Sequence, residues 1–325
     1  MSTHGAPRWE PIEPPAPPST PQPLRLGQVL EIGLRILRRH WSVVLVVALL
    51  FAGPGALLTS ATSLHFTEVA GAALGLDDGT IDPGVMITEA ELERLLDALV
   101  PFLAATLVAG ILLSVGALVF SAVVADDYHA RIPELGAILR RGLGRTPSAL
   151  GFIIVTSFVV VGVMLAGLLA MSVATLLLPP SSIAAGGPGV FLALVFGVAT
   201  VVGLIYLSMR WAPAFPAMIE EDIGVLAALR RSWHLSGDNV WRTFVVLLLG
   251  GLLTAIGGSV VGQLATLVLW SVLGIEESLA TTVALSLGSV LLAPVTPVLT
   301  AVLYFDLRAR RDAPGVVPTP PRQAP

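Results

Sequence analysis

The chain has 325 residues, of which 55% are hydrophobic and only 12% charged, and its formal net charge is −4. Soluble domains carry about 25% charged residues, so this composition indicates an integral membrane protein instead of a soluble domain. The chain contains no cysteine, which excludes disulfides, thiol nucleophiles and thiolate metal sites. All basic residues are arginine, and together with the abundant Ala, Gly, Pro and Val this indicates a bacterial sequence.

The two ends of the chain differ from the rest in composition. Residues 1–23 are rich in proline and lack the short basic start and apolar core of a cleaved signal peptide. They predict a disordered tail, and residues 312–325 predict a second one for the same reason. The membrane domain is therefore expected to cover residues 24–311.

Six segments are long and apolar enough to form membrane spans, because a helix needs about 20 apolar residues to cross the hydrocarbon core. They are residues 42–62, 98–125, 149–178, 190–209, 243–267 and 279–305. Pro179-Pro180 and the following glycines separate the third span from the fourth. The predicted fold is all-α, a polytopic membrane protein with six transmembrane helices arranged as three hairpins.

Local motifs add detail to these spans. Thr88 and Glu91 form a capping box that predicts a short acidic helix running into the second span. Gly258-x-x-x-Gly262 predicts close helix packing in the fifth span. Prolines at positions 54, 294 and 297 predict kinks in the first and sixth spans.

The arginines indicate the orientation of the spans. With six spans, 17 of the 18 arginines fall on one side and only Arg94 falls on the other. By the positive-inside rule the arginine-rich side faces the cytoplasm. The sequence therefore predicts a bacterial cytoplasmic membrane protein with both termini in the cytoplasm.

An internal repeat precedes the predicted hairpins. The pattern L-G-x-[VI]-L-x-x-G-L occurs without gaps at residues 26–34 and 135–143, and a looser third copy covers residues 223–231. Apolar residues occupy one face of the first copy and arginines the other, which is typical of a helix lying in the membrane interface. We predict three repeats, at about residues 24–125, 132–210 and 222–306, each beginning with a cytoplasmic interfacial amphipathic helix.

Three stretches resemble a known membrane domain. They are residues 23–30 (PLRLGQVL), 224–233 (GVLAALRRSW) and 303–311 (LYFDLRARR). Together they are similar to the membrane domain found joined to bacterial glycerophosphoryl diester phosphodiesterases. The resemblance implies a multi-span inner-membrane module that often occurs without its enzyme. Where that family places basic residues after the equivalent of residues 233–235 (WHL), this chain has residues 236–239 (SGDN), which weakens any inference of a shared anionic ligand.

The catalytic motifs of the phosphodiesterase are not found in this sequence. That enzyme relies on a His-Arg-Gly start and a Glu-Asn-Thr segment that hold a divalent metal, and the nearest match is residues 128–131 (YHAR). No histidine has a second ligand three or four residues away, so neither a metal nor another cofactor is expected. The sequence therefore predicts a protein that is not an enzyme.

Three arginine pairs are candidate contacts for anionic lipid headgroups, because juxtamembrane basic residues are attracted to anionic lipid. The six residues are Arg38, Arg39, Arg140, Arg141, Arg230 and Arg231. The alternative interpretation is that they only set the topology. A second candidate feature is an ion pair between hairpins, in which Arg210 would bind Asp127 or Asp306, since a charge near the bilayer needs a partner.

These observations favour a non-enzymatic membrane scaffold or accessory factor in lipid or envelope homeostasis. The alternative is a small-solute or lipid transporter. Ion-coupled transport usually requires buried carboxylates or histidines within the spans, and the predicted spans contain almost none. The expected partners are the lipid bilayer, its anionic phospholipid headgroups and proteins that the sequence does not identify; nucleic acid is not expected.

Overall fold

The computed structural model describes residues 24–73, 88–177 and 188–312, and within these ranges the chain is all-α without a β-strand. The helices are α1 (Leu26–Arg39), α2 (Trp41–Ala73), α3 (Glu89–Tyr128), α4 (Leu135–Leu143), α5 (Thr146–Leu177), α6 (Pro188–Trp211), α7 (Ala214–Glu220), α8 (Val225–Ser236), α9 (Val240–Ser271), α10 (Glu277–Leu292) and α11 (Val295–Asp312). The predicted tails and the Pro179-Pro180 turn lie outside the described residues.

Six helical stretches are long and apolar enough to cross a membrane, and each overlaps one predicted span. The number and positions of the apolar segments are therefore confirmed. The helix that contains the first predicted span is longer than expected: α2 continues past residue 62 to Ala73. The capping box is also confirmed: the Thr88 side chain accepts from the backbone of Glu91, whose carboxylate accepts from the Thr88 N–H at 2.7 Å, and α3 then runs unbroken to Tyr128.

The proline expectations are confirmed in part. Pro54 lies inside α2, which continues through it as one helix. The sixth apolar stretch is interrupted at residues 293–294, so that α10 ends at Leu292 and α11 begins at Val295. Proline at position 294 explains this interruption, because it has no N–H to donate and its ring clashes with the preceding turn.

The core of the protein lies among α2, α3, α9, α10 and α11. Helix α2 packs along α3, α9 packs along α10, and α11 contacts α1, α3 and α9. Fully buried Leu118, Val123, Leu299 and Leu303 fill the centre of this group. Helices α5 and α6 pack on each other at its edge, and their most apolar segments are not buried inside the protein at all.

The predicted glycine contact in α9 is confirmed. A Cβ on Gly288 of α10 would lie 2.2 Å from the carbonyl oxygen of Gly258 and 3.1 Å from the amide nitrogen of Gly262. The backbones of α9 and α10 therefore touch along the Gly-x-x-x-Gly face, and only residues without a side chain fit there. Helix α9 is one continuous helix through this contact.

The three repeat helices each bury one face, and the third does so in a different register from the predicted one. Helix α4 buries Ile138 and Gly142, whereas α8 buries Ala228 and Ser232, which lie two residues further along than the sequence pattern places them. The pattern aligns Gly224 near the start of a helix, but this glycine precedes the first residue of α8 as its N-cap. In the corrected register Arg140-Arg141 and Arg230-Arg231 occupy equivalent positions.

Candidate functional site

Charged residues gather at the end of the helix bundle that holds α1, α4, α7 and α8, and we call this the charged end. It contains five carboxylates with little exposure, which are Asp126, Asp127, Glu220, Glu221 and Asp306. The five are partnered by arginine, histidine or tyrosine side chains from other helices. Local sequence does not specify these partners, so the network arises from the packing of the helices.

Asp306 near the end of α11 is the most buried of the five, with a side chain that is 0% exposed. It accepts hydrogen bonds from the backbone N–H of Leu24 at 2.6 Å and from Nε of Arg242 on α9 at 2.7 Å. Nε of Arg310 donates to the same carboxylate at 3.1 Å. Asp306 therefore holds the segment before α1 against both α9 and α11.

Two adjacent carboxylates at the end of α3 bind different repeat helices. Asp126, whose side chain is 5% exposed, accepts from Nη1 of Arg141 on α4 at 2.9 Å. Asp127 accepts from Nη1 of Arg39 at 3.3 Å and lies 2.9 Å from Nε2 of His40. The end of α3 therefore anchors both α4 and the end of α1.

The end of α7 and the residue after it supply the remaining pair. Glu221 accepts from Nε of Arg231 on α8 at 2.7 Å and from the hydroxyl of Tyr304 on α11 at 2.8 Å. Glu220 accepts from Nη1 of Arg308 at 3.1 Å and lies 3.0 Å from Nε2 of His129. These contacts join α7 and α8 to the ends of α3 and α11.

The three predicted arginine pairs divide in the same way. In each pair the second arginine binds a carboxylate: Arg39 binds Asp127, Arg141 binds Asp126 and Arg231 binds Glu221. The first arginines, Arg38, Arg140 and Arg230, are exposed. For these three, no ion pair occurs with any residue that the structure describes. Arg141 and Arg231 are partly buried, whereas the Arg39 side chain is 70% exposed. The structure therefore separates arginines that bind a carboxylate from arginines that do not.

The predicted ion pair of Arg210 with Asp127 or Asp306 is not the arrangement found. Both carboxylates bind other arginines, and the guanidinium of Arg210 donates from Nε and Nη2 to the Tyr206 hydroxyl at 2.9 and 2.7 Å. It also lies over the ring of Trp233, 4.6 Å from its centroid, and donates to the Trp233 carbonyl at 3.2 Å. Aromatic faces and a hydroxyl satisfy this cation without a carboxylate.

Two clefts of different character lie between the described helices. One, of about 590 Å³, is lined by hydroxyl and carboxylate side chains of α2 and α10 at the opposite end of those helices, including Ser60, Thr281, Glu276 and Glu277. The other, of about 400 Å³, is lined mainly by apolar residues of α5, α6 and α7. Across the described ranges, no group of three or more His, Asp or Glu side chains is arranged to hold a metal ion.

One family model matches residues 34–309, which covers most of the chain and all of the described helices except the first part of α1 and the end of α11. The chain belongs to DUF7544, a family of unknown function. No curated protein and no solved structure matches it. This DUF7544 match carries no link to the membrane domain of glycerophosphoryl diester phosphodiesterases.

Several partners in the charged end of this DUF7544 member are not predicted by its sequence. Arg242, His40 and Tyr304 each bind one of the buried carboxylates, and none of them stands out in the sequence patterns. Arg242 lies just before an apolar span and offers the same signal as the predicted arginine pairs. Tyr304 and His40 offer none, because a tyrosine or histidine beside a span is common without any bound carboxylate.

Proposed function

We propose that this chain is a non-enzymatic integral membrane protein that acts as a scaffold or accessory factor in lipid or envelope homeostasis. The observation that carries the proposal is that the carboxylates of the charged end are engaged in contacts between helices. The carboxylates of the charged end bind side chains on other helices and so hold the bundle together. The core next to them is filled by valine, leucine, alanine and glycine.

The proposed arrangement has six spans forming three hairpins, α2 with α3, α5 with α6, and α9 with the α10–α11 stretch. These helices are packed against each other in those combinations. Helices α1, α4 and α8 would lie in the cytoplasmic interface of a bacterial inner membrane, each before its hairpin. The side with 17 of the 18 arginines would face the cytoplasm, as the positive-inside rule requires.

We further propose that Arg38, Arg140 and Arg230 contact anionic lipid headgroups. Their exposure on the three repeat helices supports this, and so does the pairing of the adjacent arginines with protein carboxylates. A basic residue near an anionic membrane surface contributes about 1 kcal/mol to binding. An arginine already neutralised by a carboxylate has less to gain from a second anion.

Matched triple variants test this division. One variant carries R38Q, R140Q and R230Q, and its control carries R39Q, R141Q and R231Q. After purification from vesicles of phosphatidylglycerol and phosphatidylcholine, native mass spectrometry counts the phosphatidylglycerol retained by each protein. The first variant should lose bound phosphatidylglycerol at an unchanged unfolding temperature. The control should unfold at a lower temperature and keep more of the lipid than the first variant does. Equal retention in both variants and the unmodified chain would contradict the proposal.

The transport alternative draws support from one feature, the polar cleft of about 590 Å³ between α2 and α10. A solute pathway would have to continue from this cleft past Ser60, whose hydroxyl lies 2.8 Å from that of Ser286. Flux of small solutes into proteoliposomes, compared with S60F, tests the idea. A flux that S60F abolishes would favour a transporter over the scaffold.

The similarity to the phosphodiesterase membrane domain is also a proposal, supported by the three matching stretches of sequence.

A further inference from the structure

The hairpin of α5 and α6 encloses an apolar cleft that the charged end does not use. The two helices touch near their middle, where a Cβ on Gly167 would lie 2.3 Å from the Thr200 hydroxyl oxygen. Between this contact and α7 a cleft of about 400 Å³ opens, within the usual size range of ligand sites. Its lining residues from α5 are Phe152, Thr156 and Val160, and those from α6 include Leu204, Leu207, Ser208 and Trp211.

Aromatic side chains line the end of the cleft nearest the charged end. The rings of Phe152 on α5 and Phe215 on α7 lie with their centroids 4.5 Å apart. Phe215 and Trp211 both line the cleft, so this end of the lining is apolar. The cleft therefore lies between the α5–α6 contact and this aromatic pair, and we call it the wedge.

The interior of the wedge offers few free hydrogen-bonding groups to a water molecule. The Thr156 hydroxyl donates to the carbonyl of Phe152 at 2.7 Å, and the Ser208 hydroxyl donates to the carbonyl of Leu204 at 2.9 Å. Both hydroxyls are thus satisfied by their own helices. A buried water needs two to four polar partners, and this cleft provides few that are not already engaged.

The outward faces of the two helices that line the wedge are strongly apolar. Phe158 and Ile154 on α5 are 83% and 67% exposed, and Val201 on α6 is 56% exposed. In the six-span arrangement these side chains face hydrocarbon. A gap lined by apolar atoms and left empty would lose dispersion contacts on one side, so the medium that reaches it should fill it.

We propose that an acyl chain of a phospholipid from the cytoplasmic leaflet occupies this wedge, which makes it a specific lipid site between α5 and α6. The proposal rests on the six-span arrangement proposed above. Hydrocarbon matches the apolar lining and the hydroxyls that are already bound within their own helices. The lipid would complete the packing of a hairpin that contacts the rest of the protein only at its edge.

A pair of substitutions on α6 tests the proposal. S208F places a ring inside the wedge, whereas V202F places the same ring on the opposite face of the same helix, where Val202 is 58% exposed. Native mass spectrometry after delipidating purification counts the lipids bound per chain. The unmodified protein and V202F should each retain one lipid that S208F loses. An equal count in all three, or replacement of the lipid by a second copy of the chain, would overturn the proposal.

A crosslinking experiment on the unmodified chain covers the case in which S208F fails to fold. A phospholipid with a diazirine on its acyl chain is incorporated at low mole fraction, and its adducts are mapped by peptide mass spectrometry. Adducts should concentrate at residues 152–160 and 204–211. Adducts spread evenly over the exposed faces of α5 and α6 would overturn the lipid site while leaving the six-span proposal intact. The absence of adducts on every helix would overturn both, because it would count against membrane insertion itself.

Discussion

Arg242 on α9 donates from Nε to Oδ2 of Asp306 on α11 at 2.7 Å, and the receiving side chain is completely buried. The same guanidinium donates from Nη2 to the backbone carbonyl of Leu24 at 2.6 Å, as Arg310 also does. One carboxylate and two arginines therefore fix the start of α1 to the last helix. This relationship joins residues from the beginning and the end of the membrane domain.

Substitution of Asp306 should be strongly destabilising. D306N keeps the shape of the side chain but removes the charge that faces Arg242 and Arg310. Removing one partner of a buried ion pair typically costs about 3–5 kcal/mol, because the remaining charge is left uncompensated. Thermal unfolding in detergent micelles should show a clearly lower midpoint for D306N.

A surface ion pair provides the control for this experiment. Glu31 and Arg35 form an i, i+4 pair on α1, and both side chains are more than 60% exposed. Exposed helix pairs contribute only about 0.3–0.5 kcal/mol, so E31Q should unfold close to the unmodified protein. A D306N midpoint equal to that of E31Q would show that the Asp306 cluster does not hold the bundle together.

The contact between α9 and α10 should tolerate no side chain at Gly288. G288A would place a Cβ 2.2 Å from the carbonyl oxygen of Gly258, and both are backbone positions that cannot move independently. A Cβ on Gly251 of α9 would meet no atom within 4 Å, which makes this glycine the matched control. G288A should lower the unfolding temperature, whereas G251A should be neutral or slightly stabilising, because alanine favours helix by about 1 kcal/mol over glycine. Equal midpoints for the two variants would contradict the close contact.

The two glycines of the repeat motif should respond differently to substitution. In α4, a Cβ on Gly142 would lie 2.3 Å from a side-chain methyl of Val119 and 3.2 Å from its Cα, whereas a Cβ on Gly136 would meet nothing within 4 Å. G142A should therefore release α4 from α3 and lower the unfolding temperature. G136A should leave it unchanged. A similar loss in both variants would contradict the assigned contacts, because alanine favours helix over glycine and propensity alone would not destabilise either one.

Gly27 and Gly33 are the equivalent glycines in α1, and their variants allow the size of the loss in stability to be compared with that in α4. A Cβ on Gly33 would lie 2.5 Å from Cδ2 of Leu299, which is the end of a flexible side chain, and 3.8 Å from its Cα. Leu299 can change rotamer more easily than the Val119 backbone can move. G33A should therefore lower the unfolding midpoint less than G142A does, with G27A as the neutral control. The reverse order would contradict the assigned contacts.

The sequence predicted the parts of this fold that depend on composition or local pattern. Apolar length located the six stretches that are long and apolar enough to cross a membrane, Thr88 and Glu91 located the start of α3, and Gly258-x-x-x-Gly262 located a backbone contact. Each of these signals lies within a few residues along the chain. The register of α8 was missed because Gly224 matched the motif while lying outside the helix.

The partners in the charged end could not be predicted in the same way. Leu24 and Asp306 are 282 residues apart, and several arginines near them offer the same chemistry. The choice among them depends on how the helices pack. The partner of Arg210 is easier to predict from the sequence, because Tyr206 lies four residues earlier on the same helix face. Helical side chains at this spacing interact.

The orientation of the six spans is the central claim, and single-cysteine labelling tests it most directly because the chain has no native cysteine. R140C, R230C and R94C introduce thiols at exposed positions. In intact spheroplasts of a bacterial host, a membrane-impermeant maleimide should label R94C and should label the other two variants only after permeabilisation. Labelling of R140C or R230C in intact spheroplasts at the rate seen for R94C would contradict the arrangement.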